Sequence, residues 1–501
     1  MENSSLNHLT ICGIFLLGIT TNREAGEVIC IFDALDECQD ADRKQLIRAL
    51  SSLYSKRLEA HNLKFLVTSR PYDHIRRGFQ GLKDRLPMIH LSGEEEAEIE
   101  KISHEIDLVI QKRVEDIGKE NHLRPDECVF LQNQLTSVPN RTYLWVSLTL
   151  DVIENMPGFT KGRIRHAIRN LPQNVDEAYD KILNRSPDKL NAKRLLHIVT
   201  GAQRPLSLRE VSIAMTVDAG LEILTELEDE LIANEKLHDR RFQRTMRELC
   251  GLFLVTVDEK VYLLHQTAKE FLVQNNPLDL VPLSDPSQSV TTWKHFLQPK
   301  ASHEVLAVAC MLYLSYDGIA NRFPWLHSFF TYAACHWPSH FREAFTQDAH
   351  QAAKLGYAIC QAGSYSYENW SLVYGARFID FPTFSNTLII ATFFGLAAVA
   401  KLQLQNSLAD IDPKDDAYGR TPLSWAASNG YEEVVKLLLE TQKVDPDSKD
   451  DKNGRTPLSY ASSIGQDAVV KLLLGTQKVD VNSRDAEFGQ TPLTWAAEKW
   501  S

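Results

Sequence analysis

The first clear pattern along the chain is the apolar run Val28-Ile29-Cys30-Ile31-Phe32, which ends in Asp33-Ala34-Leu35-Asp36-Glu37. A short unbroken apolar run closed by acids reads as a strand buried on both faces, hence one inside a parallel sheet. From Arg43 to Arg57, Leu46, Ile47, Leu50, Leu53 and Tyr54 fall on one side of a helix. Leu63-Lys64-Phe65-Leu66-Val67 then forms a second apolar run, followed by Thr68-Ser69-Arg70 and stopped at Pro71. Strand, helix and strand in this order predict a βαβ unit.

The pattern downstream is helical. Glu94 to Ile117 is amphipathic, and Thr142 to Ile153 is apolar nearly all round, as a core helix is. Leu252–Val257 and Val261–Leu264 flank Asp258-Glu259-Lys260, which predicts a hairpin. With the short helices between Asp188 and Val273, that hairpin predicts a winged-helix module. Pro277 to Pro299 reads as a linker, and residues 300–380 add helices rich in aromatic residues and histidine.

The last third repeats itself. Gly419-Arg420-Thr421-Pro422-Leu423 returns as Gly454-Arg455-Thr456-Pro457-Leu458 and as Gly489-Gln490-Thr491-Pro492-Leu493, each 35 residues on. Val434 to Leu439 likewise returns as Val469 to Leu474. Thr421 can cap a helix that starts at Pro422, where a missing N–H costs nothing. Gly430 can close that helix, and Glu432 to Glu440 can form a second. These units resemble ankyrin repeats. The family places His after Thr-Pro-Leu; Ser424, Ser459 and Thr494 stand there, which predicts a weakened contact between repeats. Residues 386–406 resemble a degenerate earlier repeat, and the final unit reads as truncated after its first helix, at Trp500-Ser501. An array of this kind needs a polar terminal cap, so apolar surface around Trp495 and Trp500 is expected to be loose or aggregation-prone.

Charge and composition narrow the partners. The 501 residues carry a formal charge of −12, a poor match to nucleic acid. The eight cysteines are scattered, with no C-x-x-C, as in a reduced intracellular protein. Leu9 to Thr20 is apolar but too short to span a bilayer, and no Lys precedes it. A cytoplasmic chain without a membrane segment is expected.

Acids at the end of an apolar strand suit phosphate chemistry, where one carboxylate holds Mg²⁺ and another, a turn later, handles the attacking water. Phe32-Asp33-Ala34-Leu35-Asp36-Glu37-Cys38, followed by Phe65-Leu66-Val67-Thr68-Ser69-Arg70-Pro71, resembles NACHT-type signal-transduction NTPases, relatives of NOD-like receptors. The resemblance implies Asp33 as the Mg²⁺ ligand, Asp36 and Glu37 as the catalytic acids, and Arg70 as the sensor of the γ-phosphate of ATP. Leu263-Leu264-His265-Gln266-Thr267 is similar to the family's winged-helix segment, which implies that His265 contacts bound ADP. Tyr332 to Trp337 is similar to a linker of fungal NACHT–ankyrin proteins.

The same family cradles phosphate with G-x-x-x-x-G-K-S/T, and no such motif occurs. The Gly118-Lys119 pair runs on into Glu120, and 32 residues precede Asp33, too few for the missing strand and loop. ATP, ADP and Mg²⁺ binding is therefore expected to be weak or absent, and hydrolysis absent. His336 and His340 have the spacing of a zinc pair, but Pro338 lies between them and no H-E-x-x-H is present, so a structural role is expected.

The expected architecture is a multidomain α/β plus α fold. Its parts are an N-terminal segment (1–26), a partial P-loop-type parallel α/β core with a helical subdomain (27–171), a winged-helix module (172–275), a helical linker region (276–385) and an ankyrin-repeat solenoid (386–501). The resemblance implies a regulatory scaffold in fungal non-self recognition or cell-death signalling, binding a protein through its repeats and self-associating. The alternative is an NTPase-dead scaffold acting through the repeats alone. The missing P-loop and cap suggest a piece of a longer chain.

Overall fold

The computed structural model describes residues 28–38, 40–55, 63–70, 72–83, 96–138, 142–154, 171–233, 235–273, 293–316, 329–345, 350–378, 384–405 and 410–500. Leu9 to Thr20 lies outside them, as does the side chain of Trp500. The chain divides into two compact units, Met1–Asp107 and Leu108–Ser501.

In the first unit β1 (Val28–Phe32) and β2 (Leu63–Val67) pair in parallel, Val28 opposite Leu63 and Phe32 opposite Val67. Helix α1 (Asp40–Ser55) connects them, and α2 (Asp73–Lys83) follows. The α1–α2 contact is close: a Cβ on Gly78 would lie 2.9 Å from Ile47. One expectation fails here. Ile29 and Ile31 are 58% and 65% exposed, so β1 is not buried on both faces. Among the described residues the sheet has two strands, and alternate side chains of β1 point away from the covered face.

Among its described residues the second unit is helical apart from one hairpin. It holds most of α3 (Glu96–Glu120), then α4 (Pro125–Thr136) and α5 (Tyr143–Glu154). Helix α5 is the expected core helix, with Trp145, Leu148 and Leu150 buried. Helices α6 (Val175–Asn184), α7 (Lys189–Gly201), α8 (Leu208–Thr216), α9 (Leu221–Ala233) and α10 (Glu235–Cys250) precede the hairpin of β3 (Leu254–Val257) and β4 (Lys260–Leu263). Asp258 and Glu259 both have positive φ, 49° and 63°, as a tight two-residue hairpin turn requires. The short helix α11 (Gln266–Leu272) follows.

Trp293 and Leu297 of the expected linker are held in the core. Trp293 is fully buried and donates its Nε1–H to Asn184 at 3.0 Å, while Leu297 bridges to Val273. Then come α12 (Pro299–Ser315), α13 (Phe330–Ala344), α14 (His350–Cys360) and α15 (Tyr365–Arg377). Pro338 sits inside α13, which continues through it.

The repeats are helix pairs: α16 (Thr387–Phe394) with α17 (Ala397–Leu404), α18 (Pro422–Asn429) with α19 (Glu432–Glu440), and α20 (Pro457–Ile464) with α21 (Asp467–Gly475), followed by α22 (Pro492–Trp500). Thr421 and Thr456 cap their helices by accepting the N–H of Ser424 and Ser459, each at 3.3 Å. Those serines, which replace the family's His, also pair with the capping hydroxyls at 3.3 and 3.1 Å. Gly430 adopts φ 74°, and a Cβ there would strike Gln466 of the next repeat.

A caged aspartate organises each loop. Asp450 accepts from the backbone N–H groups of Lys452, Asn453 and Arg455, and from Tyr460 Oη at 3.0 Å. Asp415 and Asp485 do the same one period away, with Trp425 and Trp495 supplying the side-chain donor. Between the repeats, the Arg420 guanidinium lies 4.4 Å from the Trp425 ring and 3.9 Å from the Tyr460 ring, and Arg455 lies 3.7 Å from Trp495. At the last unit Leu493 is 78% exposed, whereas Leu423 and Leu458 are buried under the following helices.

Asp450 is 4% exposed, so removing its carboxylate strands several buried donors. Asp450→Ala is expected to destabilise the array by about 3 kcal/mol in urea unfolding, and Asp450→Asn by about half of that. An unchanged midpoint for both variants would rule out the cage as a stabilising element.

Four histidines of α7, α12 and α13 pack in the interior. Burial, reinforced by His303 and His336, pushes His340 down to about 3, and burial pushes His197 and His336 down to about 4. In the unfolded chain these rings take a proton near pH 6.5. The unfolded state therefore binds more protons below that pH, and stability falls as pH drops from about 6.5 towards the folded-state values. Urea midpoints at pH 7, 6 and 5 should decline, with His340 alone contributing at most about 1.4 kcal/mol per pH unit. His340→Gln should flatten that slope; an identical slope in the variant would refute the assignment.

Candidate functional site

The acidic end of β1 is shaped by the loop that follows β2. Asp33 leaves the strand with its carboxylate exposed and accepts a hydrogen bond from the Thr68 hydroxyl. Ala34 then takes a left-handed conformation, φ 54° and ψ 52°, which an L-residue adopts at some cost. Thr68 holds it there: its Oγ1 accepts the Ala34 N–H at 2.8 Å, and its carbonyl accepts the Leu35 N–H at 2.9 Å. The chain next makes a 3₁₀ turn, Leu35–Glu37, anchored by buried Leu35.

Asp36 is directed at Arg70. Its Oδ1 accepts the Arg70 backbone N–H at 3.0 Å, and its Oδ2 lies 3.4 Å from Arg70 Nε. The carboxylate is 7% exposed, and the guanidinium also reaches Tyr72 Oη at 3.2 Å. Asp36 thus fixes the loop and the arginine together. Glu37 lies on the same turn, and its side chain falls outside the described residues. Buried Arg43 closes the turn from α1 by donating to the Cys38 carbonyl at 3.3 Å.

Asp33, Asp36 and Arg70 are therefore brought together, as their place at the ends of two paired strands requires. Thr68 and Tyr72 complete the cluster and were not anticipated. The signal for Thr68 was present, since a hydroxyl directly after a parallel strand faces the loop after the neighbouring strand.

His265 belongs to the second unit. It is exposed and caps α11, its Nδ1 accepting the Thr267 N–H at 3.2 Å and lying 2.9 Å from the Thr267 hydroxyl. Thr267 in turn meets Tyr179 Oη at 2.9 Å, which ties the cap to buried α6. With Nδ1 accepting from the backbone, neutral His265 carries its proton on Nε2.

Two other constellations are structural. His340 is fully buried, with Nε2 2.8 Å from Tyr332 Oη and Nδ1 2.8 Å from His303 Nδ1, so both ring nitrogens are engaged by neighbouring side chains. Ser212 Oγ lies 3.1 Å from His238 Nε2, and Asp239 is 3.8 Å from His238 Nδ1, but Ser212 and His238 are buried between helices, without access for a substrate. Among the described residues no group of three His, Cys, Asp or Glu side chains is arranged to hold a metal. Among them, too, no helix is long and apolar enough to cross a membrane.

Comparison with known proteins finds similarity along most of the chain. Family models match at residues 3–70 (nephrocystin 3, N-terminal), 102–169 (a domain of unknown function), 179–280 (GPI inositol-deacylase, winged helix domain), and 388–485 and 444–500 (ankyrin repeats). The vegetative incompatibility protein HET-E-1 of Podospora anserina is 28% identical over 248 residues, which are 48% of this chain and 16% of that relative. The chain thus spans a small part of the relative's length. An N-terminal NACHT-related segment, C-terminal ankyrin repeats and the similarity to HET-E-1 together support a NACHT–ankyrin protein of the fungal kind.

Proposed function

We propose that this chain is a regulatory scaffold in fungal vegetative incompatibility, recruiting a protein through its ankyrin array. The observation that carries the reading is the array itself, built from stacked helix pairs and continuous in its core with the helices before it. The name of the related HET-E-1 supplies the process. Residues 27–171 are read as the later part of a P-loop-type α/β core with its helical subdomain. Residues 172–275 are read as a winged-helix module, in line with the matched family model and the hairpin.

In this reading the β1 cluster is a nucleotide site in outline. Asp33 offers an exposed carboxylate oxygen at a strand end, the donor a hard divalent cation takes, and so fits a Mg²⁺ ligand. Mg²⁺ would supply charge neutralisation of phosphate there. Arg70, oriented by Asp36, is the group for the γ-phosphate, Glu37 the water-activating acid, and His265 the contact to ADP. Asp36 is a positioning residue rather than a base, because Arg70 occupies both of its oxygens. Without G-x-x-x-x-G-K-S/T to cradle the phosphates, this 501-residue chain does not switch on nucleotide by itself. The engagement of Asp36 favours the second reading to that extent: a scaffold acting through its repeats alone.

Two measurements test this. Calorimetry with Mg²⁺ and ATP or ADP should give a Kd weaker than about 1 mM and no phosphate release; micromolar binding abolished by His265→Ala would overturn the inactive-switch reading. Expressed in a filamentous fungus, the chain should alter the incompatibility reaction, and deletion of residues 386–501 should abolish the effect. A reaction indifferent to the repeats would remove the scaffold function.

A further inference from the structure

Helix α13 is fastened at both ends, to two parts of the second unit that have no sequence proximity. At its start, Tyr332 Oη accepts the Gln203 backbone N–H at 3.1 Å. The Arg204 guanidinium lies 5.1 Å from the Tyr332 ring and forms a two-point ion pair with Glu210, at 2.6 and 2.8 Å. Glu210 is the acid of the capping box that starts α8, accepting the Ser207 N–H at 2.8 Å. The same loop bonds to the hairpin, Leu208 N–H to Glu259 and Val261 N–H to Leu206. Tyr332 therefore braces the loop on which the β3–β4 hairpin rests.

At its other end, Arg342 donates to the carbonyl of Phe394, the last residue of α16, at 2.8 Å. Its guanidinium lies 5.3 Å from the ring of Tyr431, the N-cap of α19. Tyr431 in turn fills the space beside Gly395, where a Cβ would lie 2.7 Å from its ring. Arg342 thus clamps the first two helix pairs of the array.

Ten positions separate Tyr332 and Arg342, about 15 Å along a helix axis. Pro338 lies between them and removes one backbone hydrogen bond. Packing keeps the helix whole there: Trp337 is fully buried, with its ring 5.4 Å from Trp370 and 6.4 Å from Phe394. Phe394 is touched by Trp337 and held by Arg342, so the middle and the end of α13 bear on the same repeat helix.

We infer that α13 is a strut that couples the ankyrin array to the loop under the hairpin, so that ordering one orders the other. Resting on the reading that the array receives a protein, this supplies the route by which a bound partner is felt at the hairpin-bearing module. The coupling is reciprocal: whatever loosens the loop loosens the first two repeats.

Hydrogen exchange by mass spectrometry on the full chain tests the strut with neither nucleotide nor partner. Tyr332→Phe deletes one hydroxyl at the loop end. It should speed exchange at residues 202–208 and also, about five-fold or more, at 387–394 and 431–435. Arg342→Met should produce the reverse effect, reaching 202–208 from the repeat end, while residues 96–136 stay unchanged in both variants. If Arg342→Met does not fold, Arg342→Lys reads the same clamp. Changes confined to the mutated end, or an equal rise throughout including 96–136, would overturn the strut. Either result leaves the scaffold reading to its own repeat-deletion test.

Discussion

Continuous burial ties the second unit together from α5 onward. One apolar core runs from Leu148 in α5 through the hairpin-bearing helices, the connector and the repeats to Leu473 in α21. Each fully buried Leu or Phe along it contributes about 1.5–3 kcal/mol, and no gap divides that contribution into separate domains. In the connector Trp337 packs edge to face on Phe341 and Trp370, and Phe394 of α16 lies tilted against Trp370, all with almost no exposure. A repeat array needs its first unit covered, and here α14 does this, with Gly356 close against Val399 of α17. The array is an extension of the connector's core.

Several of the polar groups inside this core are linked in chains. Gln203 N–H donates to Tyr332, whose hydroxyl proton is then free for His340 Nε2, leaving the proton of His340 Nδ1 for His303. Buried polar groups are tolerated when each has a partner, and a neutral histidine can serve as donor and acceptor at once. The repeats use the same economy with a charge. Asp415, Asp450 and Asp485 each spend both oxygens on four donors, which fixes the loop and the aromatic residue of its helix. In the first unit Asp36 does for Arg70 what these aspartates do for their loops.

Much of this was legible in advance wherever the signal was local or periodic. The 35-residue spacing, Thr before Pro, and Gly after the helix specify the repeat helices, because caps and helix stops act within a few residues. The hairpin was readable from two apolar runs around polar turn residues. Asp33, Asp36 and Arg70 were readable as a group, since paired parallel strands bring their ends to one edge. The burial of β1 was not, because the apolar run alone does not say how many neighbours a strand has. The residues read as a linker also misled: Trp293 is held by Asn184, a partner 109 positions away.

The sequence by itself determined the repeat helices, the hairpin and the strand–helix–strand order at the start, because these rest on short-range patterning and repetition. Tertiary structure decided the use of particular side chains. Asp36 became a brace for Arg70, and the zinc-spaced His336 and His340 became parts of the packed helix α13, which runs on through Pro338. Those outcomes depend on partners such as Gln203 and Tyr332, 129 positions apart. No local pattern reports such a pair; only the packed core brings its two members within hydrogen-bond reach.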